Sequence, residues 1–105
     1  MPSDTPVLDT LASMTAASLE NCTLEAREFM LVRIAALVAS GAPAASYLAN
    51  AGTAADVGVT LEDVQDVLVA VAPIAGAPRT LEAGGNIARA LGFAVAVAEA
   101  ELEDE

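Results

Sequence analysis

The chain has 105 residues, 15 of them acidic and four basic, for a net charge of −11, and it contains no histidine and one cysteine. So few cations cannot neutralise a run of phosphates, which argues against a nucleic-acid partner. The missing imidazole and second thiol remove histidine acid/base catalysis, two-thiol redox chemistry and the common zinc sites, and no cofactor is called for.

Hydrophobic residues make up 55 % of the chain, more than one small domain can hide, so a homo-oligomer is expected. A single domain over 1–105 is expected, with 1–22 an N-terminal helical segment and 99–105 an acidic, solvated tail. Cys22 has no partner for an intrachain disulfide, and Met1–Asp4 carries no positive charge of the kind that opens a signal peptide. Arg33, Pro43, Asp56, Pro73 and Gly76 cut the apolar runs too short for a membrane span. A cytoplasmic protein with no membrane partner is the expectation.

Apolar residues recur at helical spacing and no strand-like alternation is sustained, so the fold class is all-α, with about five to six helices. Val7, Leu8, Leu11, Met14 and Leu19 mark a first helix over 6–20, with Asp4 or Thr5 as its cap and Pro6 in its first turn. Thr23 caps a second helix over 24–40 that ends at Gly41; its first two turns are polar and the rest apolar, so its second half belongs in the core. Pro43 suits the first turn of a third helix over 44–50, reaching Ala55 if Gly52 is tolerated.

A turn at 57–59 leads to Thr60, which with Glu62 and Asp63 opens a fourth helix. Leu61, Val64, Val67, Leu68 and Val71 form its apolar stripe, and Pro73 bends or ends it. The stretch Ala75-Gly76-Ala77-Pro78 reads as a hinge, beyond which Leu81, Ile87, Leu91, Ala94 and Val95 continue the pattern in a fifth helix. Gly84 and Gly85 inside it cost about 2 kcal/mol relative to alanine, and mark close helix packing or a kink.

Three signals in order carry a family resemblance: Thr23-Leu24-Glu25-Ala26-Arg27 leading into Leu31-Val32-Arg33-Ile34-Ala35, then Gly58-Val59-Thr60-Leu61-Glu62-Asp63-Val64-Gln65-Asp66-Val67-Leu68, then Ala75-Gly76-Ala77-Pro78. From Thr23 to Leu91 the chain resembles the carboxymuconolactone decarboxylase family, which includes the alkylhydroperoxidase D-like proteins. The resemblance implies a compact helical domain of that type, assembled as a trimer or hexamer. In the redox members the short third helix carries a Cys-x-x-Cys pair and a relay histidine. Counting back from Thr60 places the cysteines at Pro43 and Ser46 and the histidine at Asn50. The upstream glutamate falls near Leu31, with Glu28 a turn away. Lactone decarboxylase members use a histidine in this same helix, and this chain has none.

On that helix Tyr47 and Asn50 stand one turn apart, beside Ser46, and either face one cavity or satisfy backbone and subunit contacts. Arg33 has Phe29, Met30, Ala36 and Leu37 around it and no carboxylate within a turn. It is either a clamp for an anionic ligand or half of an ion pair to another helix or subunit, the second being preferred. Arg79 and Arg89 have Glu82 and Glu99 for company. Cys22 either meets helix-end amides near Thr23 or is a lone small residue tucked inside. Two functions compete: an oligomeric scaffold or interaction protein, and a small-metabolite-binding or weakly catalytic member using the inherited pocket formed by Arg33, Ser46, Tyr47, Asn50 and Glu28.

Overall fold

The computed structural model describes residues 2–103. Asp104 and Glu105 of the acidic tail lie outside the described residues, as do the side chains of Phe93, Ala94, Val95, Val97, Ala98 and Glu103. The apolar period is realised as five helices: α1 (Pro6–Asn21), α2 (Ala26–Ser40), α3 (Ala44–Asp56), α4 (Leu61–Ala75) and α5 (Ala77–Glu103). No strand occurs among the described residues.

The helix ends follow local backbone chemistry. Gly41 closes α2 in the left-handed region (φ 73°), with its N–H donating to the Val38 carbonyl and that of Ala42 to Leu37, a double closure that glycine reaches without a Cβ penalty. At the start of α4 the Thr60 N–H donates to Asp63 Oδ2 (2.9 Å) and the Asp63 N–H to Thr60 Oγ1 (3.1 Å), a complete capping box.

Three boundaries depart from expectation. Thr23 does not cap α2, which starts at Ala26 behind Glu25. Pro43 is not in the first turn of α3 but immediately before it, with ψ 168°, and the helix passes through Gly52 to Asp56. Pro73 does not end α4. The expected hinge contracts to Gly76 (φ 90°), the one residue between α4 and α5. Nor do Gly84 and Gly85 mark a close approach within the chain: a Cβ at either would meet nothing within 4 Å.

The core is small. Met30, Ile34 and Val38 recur every fourth residue on α2 and are buried, as is Ala54 of α3; Ile34 and Val38 cluster with Tyr47 of α3 and Ala83 and Ala90 of α5. Val64, Val67, Leu68 and Val71 of α4 cover this cluster from one side and are half-buried. Polar ties fix α5 against the end of α2: Asn86 Nδ2 donates to the Ala42 carbonyl (3.3 Å) and Arg79 Nη1 to that of Ala39 (2.8 Å). Arg89 Nη1 donates to Asn86 Oδ1 (2.9 Å). Arg79 and Arg89 therefore serve backbone and amide acceptors in place of Glu82 and Glu99. Arg27 and Asp63 form an ion pair (2.6 Å) between the first turns of α2 and α4.

The first helix stands apart. It has no buried residue, and its backbone stays out of contact with every other helix. Among the described residues no helix is long and apolar enough to cross a membrane.

Candidate functional site

Where α2, α3, α5 and the start of α4 converge, the chain places alanines (Ala51, Ala54, Ala90) and leaves a cavity of about 190 Å³. Its other walls include Ile34, Leu37, Val64 and Ile87, with Leu61 and Leu91 among the lining. Three polar residues join them, Tyr47 and Asn50 from adjacent turns of α3 and Thr60 at the start of α4, whose hydroxyl is already taken by the Asp63 N–H.

The two on α3 are not equivalent. Asn50 turns its Nδ2 back onto the Ser46 carbonyl (2.8 Å), so part of its hydrogen-bonding capacity is spent within α3. Tyr47 is only 7 % exposed, and its hydroxyl is buried without a hydrogen-bond partner. Burial pushes the phenol above its ordinary value of 10, and the negative charge of Glu82 adds to the effect. At neutral pH the site therefore offers a protonated phenol beside apolar walls, a neutral donor with no acid/base role near pH 7.

The remaining expected site residues fall elsewhere. Ser46 is half-buried but does not line the cavity. Arg33 is also absent from the lining; its guanidinium lies over the Phe29 ring, 4.7 Å from the centroid, a cation–π contact within α2. Arg33 makes no ion pair to another helix among the described residues. Glu28 is exposed in the first turn of α2 and lines no part of the cavity. Cys22 borders a second cavity, of about 200 Å³, together with Leu19, Leu24, Phe29, Met30 and Val57. Among the described residues no three His, Cys, Asp or Glu side chains gather to hold a metal ion.

Sequence reasoning passed over Asn86, the one buried polar residue among those described. Its signal was present: an amide on the same face of α5 as Ala83 and Ala90, where an unsatisfied group would be costly.

The model of the carboxymuconolactone decarboxylase family matches residues 5–90. The chain belongs to this family. No curated protein and no solved structure matches it significantly. The family match reaches back beyond Thr23, where the sequence resemblance begins, and takes in α1 as well as the helices that build the cavity.

Proposed function

We propose that this carboxymuconolactone decarboxylase family protein works by assembling with copies of itself, as an oligomeric scaffold or interaction protein, and not through the family's thiol or imidazole chemistry. The observation that carries this reading is its exposed area. The chain exposes 7271 Å², whereas a compact protein of its 10.5 kDa exposes about 5,400 Å². The excess, about 1,800 Å² per chain, falls in the range an obligate interface removes from each subunit, about 1,000–2,500 Å². Large apolar side chains are among what the chain exposes: Ile74 is 86 % exposed and Leu81 77 %. Pro43, Ser46 and Asn50, where the resemblance puts two cysteines and a histidine, have neither a thiolate nor an imidazole to offer. Sedimentation equilibrium tests the reading: a stable oligomer, trimer or hexamer, is expected at micromolar concentration, and a monomer overturns it.

A second reading, a ligand pocket, is favoured by the orphaned Tyr47 hydroxyl. A cavity of about 190 Å³ exceeds the ~150 Å³ that admits benzene in an apolar protein interior. With Arg33 outside the lining, the ligand that fits is a neutral ring bearing one hydrogen-bond acceptor. Cyclohexanone should raise the melting temperature of the wild type more than cyclohexane does, since a ligand of the folded state stabilises it. Tyr47→Phe should abolish that preference, and equal shifts in both proteins would count against this reading.

A further inference from the structure

We infer that α1 is the self-association arm of this protein, its apolar face covered by a second copy of the chain; the inference rests on the self-association reading above. At about 100° per residue, Val7, Leu8, Leu11, Met14 and Leu19 fall within an arc of about 140°, while Asp9 and Glu20 lie on the opposite side of the helix. All five apolar side chains are at least half exposed, from 51 % at Leu11 to 70 % at Val7, and none is buried by its own chain.

A helix of 16 residues draws most of its stability in a protein from packing its apolar face. The molecule is more spread than a compact chain of its length, with a radius of gyration of 15.3 Å against about 13 Å, and the detached arm shares in that spread with the 27-residue α5.

Charge narrows where a second copy can dock. Two copies that each carry −11 approach most easily where no carboxylate faces the contact, and the arc from Val7 to Leu19 is such a surface. An anionic lipid surface is a poor fit, because 6–21 contains no lysine or arginine. Apolar side chains exposed on the helical body, among them Val69, Ile74 and Leu81, give the arm of another copy a surface of matching chemistry.

The test compares wild type, Leu8→Asp/Leu11→Asp and Ser13→Asp by sedimentation equilibrium, Ser13 lying on the same side of α1 as Asp9. Wild type and Ser13→Asp should assemble alike. The double variant should associate about a hundredfold more weakly, because two carboxylates would have to be desolvated at the contact, with the circular dichroism of the helical body retained. A double variant that assembles like wild type overturns the role of α1 and leaves self-association standing; a monomeric wild type overturns both. Since aspartates also weaken the helix itself, amide hydrogen exchange on the wild type alone supplies a second readout. The α1 amides should gain protection as protein concentration rises through the association range. Exchange in α1 that is independent of concentration, or protection that arises only with phosphatidylcholine vesicles, overturns the inference.

Discussion

Tyr47 holds its hydroxyl in the core without a partner, and an unmade hydrogen bond costs more than a missing group of the same shape. Tyr47→Phe should therefore stabilise the ligand-free protein by about 1 kcal/mol in urea unfolding. The pH dependence follows from the same burial. Because the folded phenol titrates above its ordinary value of 10, its contribution is intact below pH 10 and is lost as pH rises towards the folded value. Wild type should lose more stability than Tyr47→Phe between neutral and strongly alkaline pH; parallel curves would show that the phenol is not buried. Asn86 is the opposite case, a buried amide joined to both Ala42 and Arg89. Asn86→Ala removes both bonds, and a loss of about 1–3 kcal/mol is expected. For Cys22, any peroxide turnover with a dithiol reductant is expected to pass through this one thiol, the reductant supplying the resolving thiol that the chain lacks. Turnover surviving Cys22→Ser would contradict this.

Among the elements, α4 depends most visibly on its first turn. Thr60→Ala should cost about 1 kcal/mol, typical of a lost N-cap. The Thr60 backbone N–H holds the Asp63 carboxyl below its ordinary 3.8, with the Arg27 guanidinium adding to it. That contribution is present above pH 3.8 and disappears as pH falls through the lower folded value. Asp63→Asn should flatten the acid limb of the stability curve, and an unchanged limb would place the acid sensitivity elsewhere. The cap was readable before any coordinates, because Thr60 and Asp63 stand three apart ahead of an apolar stripe, a spacing that serves one local motif. The five helices were readable for the same reason: 3.6-residue periodicity is a property of each segment. Arg33 was not, because a stretch such as Phe29–Arg33 specifies neighbours one turn away but not whether a ring or a distant carboxylate takes the charge. Nor was the isolation of α1, since an apolar period tells which face is sticky and is silent on what covers it.

At the scale of the whole molecule, a charge of −11 opposes the assembly that the exposed apolar area favours. Self-association should therefore tighten as salt shortens the screening length from about 30 Å at 0.01 M to about 8 Å at 0.15 M. Association that weakens with salt would mean that ion pairs, and not apolar burial, hold the copies together. A last consequence comes from the second cavity, where Cys22 lies between the end of α1 and the start of α2 beside Leu19 and Phe29. Since the chain has one cysteine, that thiol is a native clock on the joint: a reagent such as iodoacetamide reads a single rate constant at a half-buried group beside the last turn of α1. Copies that clamp the arm between them should slow the clock as concentration rises, so the lifetime of the assembly is written in the alkylation rate of one atom, Sγ of Cys22, without any engineered label.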